Sequence, residues 1–250
     1  MFTLMGLILR ENDRGETSKS VTVLTAEKGF IDVFVRGGKK STKNSSPTQL
    51  FAYSKLCLDE KKNSKNQSVY YLNSCESDKL FYNLRLDAKR MALASYFSEL
   101  LMYIRTEDAS CGEILRLALN TLYFLNEGEK DMELLKSIFE FRLLCEAGFR
   151  PALLGCSVCM TYEADIMHFN LSTGMLECNK CCYNPDSIYD TELDKTMLYI
   201  IRFIALTEYK RLFAFKISEK YQKKLTAFTE RFVKYNLKGK FPTLDFYRLL

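Results

Sequence analysis

Apolar and β-branched residues come in short runs through the first 80 positions. Phe2 to Leu9, Val21 to Thr25, Phe30 to Val35, Gln49 to Leu58 and Val69 to Asn73 read as strands. Asn12-Asp13-Arg14-Gly15 and Ala26-Glu27-Lys28-Gly29 supply turns, and the polar stretch Lys61 to Asn66 separates the last two runs. About five short strands in so little chain predict a small barrel, because closure removes the exposed edges that a small open sheet would leave.

From residue 80 the period becomes helical. Leu93, Phe97, Leu100, Leu101 and Ile104 fall at the three-and-four spacing of one buried face within Asp87 to Arg105. Further helices are predicted over Cys111 to Leu125, ending near Gly128, and over Met132 to Ala147, stopped by Gly148 with Pro151 beyond. Pro185-Asp186 introduces another over about Leu193 to Tyr209. The last starts near Ser218, runs to Leu237 and stops before Gly239. It carries two stripes: Tyr221, Leu225, Phe228, Phe232 and Tyr235 are apolar, while Lys220, Lys223, Lys224, Arg231 and Lys234 lie about 100° away. The plain reading of any one of these residues is a core helix with solvated lysines. The basic edge could also follow a phosphate backbone, as a secondary DNA-binding surface.

With 47% hydrophobic and 27% charged residues among 250, each of two or three domains can bury a core, which excludes disorder and fibrous repeats. The net charge of +5 is uninformative until it is divided along the chain. Residues 1–55 carry nine Lys/Arg against five Asp/Glu, a net of +4, and residues 210–240 carry ten against two, a net of +8. The remainder is therefore acidic, at −7. Positive charge gathered at two places around an acidic middle hints at nucleic acid, beside the plain reading that the lysines solubilise exposed faces. The opening apolar run has no basic residues before it and ends at Arg10-Glu11, unlike a signal peptide. Met197 to Leu206 carries Arg202 in its middle and is far below the roughly 20 residues of a membrane span. A cytoplasmic protein is expected, and no membrane partner.

In that setting the nine cysteines are thiols or metal ligands. Cys156-Ser157-Val158-Cys159 and Cys178-Asn179-Lys180-Cys181 are two C-x2-C pairs separated by 18 residues, the spacing of a four-thiolate zinc site. Two residues between ligands let a tight turn aim both sulfurs at one tetrahedral ion, and Thr173-Gly174 would turn the hairpin between the pairs. Four thiolates leave no position for water, so one structural Zn2+ per chain is expected. Zinc contributes roughly 10–16 kcal/mol to the folding of such modules. Cys182 follows Cys181 directly and could replace it. His168, the one histidine, lies inside the module but is not needed as a ligand, and Cys57, Cys75, Cys111 and Cys145 read as small core residues.

No catalytic apparatus is visible. A zinc deaminase needs H-x-E, where this chain has His168-Phe169-Asn170. In the stretch Gly37-Gly38-Lys39-Lys40-Ser41-Thr42 a phosphate loop lacks its leading glycine, which is Val33, and has Lys40 where Ser or Thr should follow the lysine. Nucleophile-elbow and dinucleotide fingerprints are missing.

The motifs nevertheless fall in a recognisable order. Leu9-Arg10-Glu11 with Gly15-Glu16 is followed by Val21 to Thr25, Gly29, and Val35-Arg36-Gly37-Gly38-Lys39-Lys40. After a helical region come Ile138-Phe139-Glu140-Phe141-Arg142-Leu143-Leu144, then Gly148-Phe149-Arg150-Pro151, then the four cysteines. Over nearly its whole length, and best at 6–40 and 138–181, the chain resembles the RecO family of bacterial DNA repair proteins. The resemblance implies an α+β multidomain protein: an N-terminal OB-fold β-barrel at 1–80, a helical domain at 81–151 and 185–250, and an inserted four-cysteine zinc module at 152–184. It implies a non-enzymatic recombination mediator that binds single- and double-stranded DNA and anneals complementary strands. With RecR such a protein helps load RecA onto strands coated by single-stranded DNA-binding protein, whose C-terminal tail it binds. A monomer, cytoplasmic and nucleoid-associated, is expected.

The family's basic OB-fold positions map onto Arg10, Arg14, Lys19, Arg36, Lys39, Lys40 and Lys43. Gly38 stands where a small side chain such as alanine is commoner, and the loop Lys61 to Asn66 matches poorly. An OB groove holds strands by phosphate neutralisation and base stacking, largely without regard to sequence. Phe30, Phe34, Phe51 and Tyr53 are the aromatic residues available for stacking, or for the core. A zinc-containing protein-interaction adaptor and an RNA-binding protein remain as alternative readings.

Overall fold

The computed structural model describes residues 1–37, 42–64, 66, 68–105, 110–182, 187 and 190–250, with Thr42 and Lys43 described by their backbone alone. Contacts divide the chain into two compact units: Met1–Glu129 with Pro242–Leu250, and Lys130–Phe241. No helix among the described residues is long and apolar enough to cross a membrane.

The first unit is built on a closed five-stranded barrel, β1 (Phe2–Arg14), β2 (Ser18–Thr25), β3 (Gly29–Val35), β4 (Tyr53–Lys62) and β5 (Ser68–Lys79), in the order β1-β2-β3-β5-β4. Four of the five neighbouring pairs are antiparallel; closure depends on the parallel pair β3–β5, through Val33↔Tyr70 and Phe34↔Tyr71. Leu4, Ile8, Val21, Val23, Ile31, Val33, Val35, Leu56 and Leu58 alternate inward and fill the barrel. This is the expected OB-like barrel. Two strands differ from the pattern-based reading. Gln49 to Ala52 is not strand, because Phe51 takes φ 63° and its N–H bonds the Ile8 carbonyl at 2.8 Å. β5 continues to Lys79, six residues past Asn73, since pairing with β4 supports polar residues that have no apolar alternation to announce them.

Between β3 and β4 lie the short helix α1 (Thr42–Ser45) and a 3-10 turn, Ser46–Thr48. The helix α2 (Ala88–Tyr103) is capped by Asp87, whose carboxylate accepts from the N–H groups of Lys89 and Arg90 at 2.9 and 3.1 Å. It lies against the barrel wall: the Ser98 hydroxyl donates to the Leu9 carbonyl at 2.7 Å, and Arg105, beyond its end, pairs with Asp32 at 3.0 Å. The helix α3 (Gly112–Glu127) ends at Gly128 in the left-handed conformation. Late in the chain, α8 (Pro242–Leu249) returns to this unit and packs on α2, with Thr243 bonded to Glu99.

In the second unit α4 (Met132–Leu144) is buried along its length from Leu134 and gives way to a wide turn, Cys145–Phe149, where Gly148 sits at φ 95°. A four-stranded sheet follows, ordered β6-β8-β7-β9, from β6 (Ala152–Cys156), β7 (Ile166–Asn170), β8 (Met175–Cys178) and β9 (Asp190–Asp194). β7 and β8 form the hairpin expected at Thr173-Gly174, with Gly174 at φ 68°. The remaining helices are α5 (Lys195–Leu206), α6 (Tyr209–Leu212) and α7 (Glu219–Leu237). Leu193 belongs to β9 rather than to a helix, and α5 is capped by Asp194 through the Met197 N–H at 2.9 Å. The aromatic stripe of α7 is core: Phe141 of α4 meets the rings of Phe228 and Phe232 at 5.5 and 5.1 Å, and Phe169 of β7 meets Phe228 at 5.3 Å. Beneath them Lys136, 1% exposed, pairs with the fully buried Glu140 at 3.2 Å and with Glu230 at 2.7 Å. Burial works to lower the Lys136 pKa, but these carboxylates outweigh it and hold the ammonium above its ordinary value.

Candidate nucleic-acid interface and metal centre

A β-bulge decides which side of β1 faces solvent. Up to Ile8, which pairs with Val23, the even-numbered residues Leu4 and Ile8 line the barrel. The register then shifts, Arg10 pairs with Thr22, and the parity of the strand reverses. Arg10, Asn12 and Arg14 consequently share the outer face, and Glu11 turns toward the barrel end. Pairing across β2 to β3 carries that outer face to Ser20 and Phe34, and the parallel β3–β5 pair carries it on to Tyr71.

One basic and aromatic cluster results. The rings of Phe34 and Tyr71, both half-buried, lie 5.8 Å apart at 33°. The Arg14 guanidinium sits 5.9 Å from the Phe34 ring and is fixed by a 3.2 Å bond from Nε to Ser20 Oγ. Over Tyr71 lie the Arg36 guanidinium at 5.2 Å and Lys61 Nζ at 5.6 Å. All three cations are exposed. Arg10 is exposed on the same face, four residues from Arg14 and so about 13 Å along the strand. Lys39 and Lys40 lie outside the described residues, and Lys43 is placed on α1 by its backbone.

Lys19 is not brought to this cluster. The register turns it inward, and it is 7% exposed, with Nζ held by Glu11 Oε2 at 2.7 Å and by the Thr48 carbonyl at 3.0 Å. The other aromatic candidates separate as well. Phe30 and Phe51 are core. Tyr53 is half-buried, and burial together with the carboxylates of Asp78 and Glu27 pushes its phenol up, a setting hostile to phosphate. The reading from residues alone missed Tyr71 and Lys61. Their only signal was an aromatic and a lysine on either side of a polar turn, which no local pattern connects to Phe34.

On α7 the basic edge is largely engaged within the fold. Lys224 pairs with Asp194 at 2.7 Å, Lys223 with Glu219 at 2.7 Å, and Arg231 donates to Thr191 Oγ1 at 2.8 Å. Lys220 and Lys234 are exposed.

The two cysteine pairs converge: Sγ atoms of Cys156, Cys159, Cys178 and Cys181 all lie within 4.8 Å of one another, and those of Cys159 and Cys178 are 3.7 Å apart. A tetrahedral ion with bonds of about 2.3 Å needs sulfurs about 3.8 Å apart, so the quartet fits zinc. Each pair sits on a tight backbone knuckle. In the first, Cys156 N–H bonds the Thr161 carbonyl at 2.9 Å, Met160 N–H bonds Cys156 O at 3.0 Å, and Met160 takes φ 61°. The backbone passes close at Gly155, where a Cβ would stand 3.1 Å from the carbonyl oxygens of Met160 and Thr161. In the second, the N–H groups of Cys181 and Cys182 both bond Cys178 O, at 2.8 and 2.9 Å. Arg202 of α5 fastens the first knuckle on both sides, donating to the carbonyls of Leu153 at 2.7 Å and Tyr162 at 2.6 Å. Without metal the thiols are unequal. Hydrogen bonds from the Thr161 side chain and backbone pull Cys159 down to about 6, while the neighbouring thiols Cys178 and Cys159 push Cys181 up to about 12.

Cys182 lies apart from the quartet and faces His168 and Asp190. Cys181 and Cys182, adjacent in sequence, thus serve two different clusters.

Comparison with known proteins gives these two features a common setting. The family model described as "Recombination protein O N terminal" matches residues 1–81, and "Recombination protein O C terminal" matches residues 85–245. A protein named DNA repair protein RecO from Acetivibrio thermocellus is 27% identical over 247 residues, covering 98% of this chain and 95% of that protein. Its namesake in Bacillus pumilus is 30% identical over 208 residues, covering 83% and 78%. The one in Caldicellulosiruptor bescii is 27% identical over 246 residues, covering 98% and 97%. The two family models together span residues 1–81 and 85–245, and the chain belongs to the recombination protein O family.

Proposed function

We propose that this chain is a recombinational DNA repair mediator that binds single- and double-stranded DNA on the outer face of its barrel and anneals complementary strands. The carrying observation is the cluster of Arg14, Arg36 and Lys61 around the adjoining, mutually tilted rings of Phe34 and Tyr71. Cations neutralise phosphates and release counterions, and two half-buried rings accept bases of any sequence. Lys39, Lys40 and Lys43 follow Arg36 closely in the sequence, and Arg10 continues the positive charge along β1. Lys19 acts indirectly: by neutralising Glu11 it keeps a carboxylate away from the phosphate path. Lys220 and Lys234 are the members of the α7 edge available for a secondary contact.

The protein works with RecR to load RecA onto strands covered by single-stranded DNA-binding protein, whose tail it binds. It does so as a monomer, in the cytoplasm at the nucleoid, without catalysing a covalent step. Its three working parts are the barrel at 1–80, the helices at 81–151 and 185–250, and the cysteine module at 152–184. In the last, Cys156, Cys159, Cys178 and Cys181 hold one structural Zn2+.

Charge reversal at Arg36, Lys39 and Lys40 tests the DNA reading. Affinity for a single-stranded oligonucleotide falls, and the slope of log K against log salt flattens by about 0.7 for each phosphate left without a cation. Unchanged affinity and slope would place the DNA elsewhere, and matched RNA as competitor separates the two polymers. One observation favours an adaptor role as a second reading: Leu154, Val158, Met160 and Tyr162 on the cysteine module are all more than half exposed. A module carrying polar residues at these four positions that still supports loading of RecA would discard it.

A further inference from the structure

The cluster beside the four-cysteine centre has the makings of a second metal site. His168 is 2% exposed on β7, and its Nδ1 lies 2.8 Å from Asp190 Oδ2 on β9. Cys182 completes the group: one imidazole nitrogen, the Cys182 sulfur and an Asp190 oxygen all lie within 4.8 Å of one another. His168 Nε2 is buried and meets no hydrogen-bonding atom at bonding geometry, although the Asn179 side chain is close enough to favour the protonated ring. A buried imidazole with an orphaned nitrogen is costly unless something else uses the ring.

Three features favour a cation over a purely structural trio. The ligand types, one imidazole, one thiol and one carboxylate, are those of borderline-soft divalent ions. The side chains of His168 and Asp190 are 3% and 6% exposed while Cys182 is half-buried, so an ion would reach the group from the Cys182 side, whereas the quartet is closed by four sulfurs. Glu192, paired with His168 across the sheet, adds negative charge. A tetrahedral shell needs donor atoms about 3.3–3.8 Å apart, so side-chain rotations of about 1 Å at Cys182 and Asp190 close the site.

We propose that His168, Cys182 and Asp190 form a second site for a divalent ion of the zinc type, weaker than the quartet because it offers one thiolate instead of four. Vicinal cysteines make the pairing possible: Cys181 serves one ion and Cys182 the next. The site stands independently of any reading of the DNA face.

The test uses full-length, reduced, zinc-replete protein titrated with Co2+. With the quartet already filled, a second ion gives visible d–d absorption and a single thiolate charge-transfer band, saturating at one equivalent. Cys182→Ser abolishes the charge-transfer band, and Asp190→Asn weakens binding at least tenfold, while both variants retain one zinc by elemental analysis. If zinc-replete wild-type protein takes up no cobalt, the trio is a hydrogen-bonded strut between β7 and β9 and the proposal is wrong. A spectrum that Cys182→Ser leaves unchanged places the ion elsewhere and overturns it equally. A chain that arrives without zinc but still takes up two cobalt ions, one lost in Cys182→Ser, would remove the structural-zinc reading and leave this one standing.

Discussion

Tyr71 and Lys19 show how far the meaning of a residue depends on the register that carries it. Tyr71 looks like any strand aromatic, yet the parallel pairing with Phe34 places its ring beneath Arg36 and Lys61. Tyr71→Ala is expected to weaken single-strand binding by about 1–3 kcal/mol while leaving the salt slope unchanged, because it removes a stacking surface and no charge. Fluorescence anisotropy at two salt concentrations reads both quantities. Lys19 has the opposite history: a basic residue in a basic segment, turned inward to neutralise Glu11. Lys19→Met should weaken DNA binding through the released carboxylate, and Glu11→Gln added to it should restore the affinity. A double-mutant cycle with no coupling would make Lys19 a direct contact. Lys19 is in phase with the inward Val21 and Val23, but its partner Glu11 is turned toward it only by the bulge after Ile8, and Tyr71 meets Phe34 only through a parallel pairing, so neither partnership is legible from local pattern.

Among the elements, those whose signals are local were legible and those made by distant pairing were not. The α2 face, the turn at Gly29, the hairpin at Gly174 and both cysteine knuckles declare themselves within a few residues. α8 does not: its eight residues become a helix by packing on α2, about 140 positions earlier. The end of α7 shows a smaller version of the same effect. Gly239 announces the stop, but Lys238 takes the left-handed position, at φ 50°. β9 and α5 meet at Asp194, which caps α5, pairs with Lys224 and accepts from Tyr221 at 3.4 Å. Burial works to raise its pKa, but the bonds from Lys224 and the Met197 N–H outweigh this and hold the carboxyl below its ordinary value of 3.8. A depressed folded pKa gives stability that is present above the unfolded value and lost as the pH falls through the folded one. Asp194→Ala should therefore cost about 1 kcal/mol at pH 7, and the gap from wild type should narrow below about pH 4, as urea denaturation at the two pH values would show.

For the whole molecule, net charge is a poor guide and placement a better one. Of the basic residues in 1–55, Arg10, Arg14 and Arg36 lie outside the barrel, whereas in 210–240 Lys223, Lys224 and Arg231 are bonded to neighbours within their own unit. The spacing of the four cysteines made the metal centre the most legible part of the molecule. Elemental analysis of reduced protein, as isolated, should find one zinc per chain. Chelation should lower hydrogen-exchange protection in β6 and β8, since roughly 10–16 kcal/mol of ligation is removed from the strands that carry Cys156 and Cys178. The bulge in β1 has a consequence of another kind. It acts as a phase shifter: the strand before it and the strand after it obey opposite rules about inside and outside. Any change in length between Ile8 and Arg10 by an odd number of residues would exchange lining for surface, carrying Arg10 and Arg14 into the barrel and Glu11 onto the outer face. The polarity of that outer face is thus stored in a count of residues, and drift in side-chain identity can leave it intact where a single-codon deletion cannot.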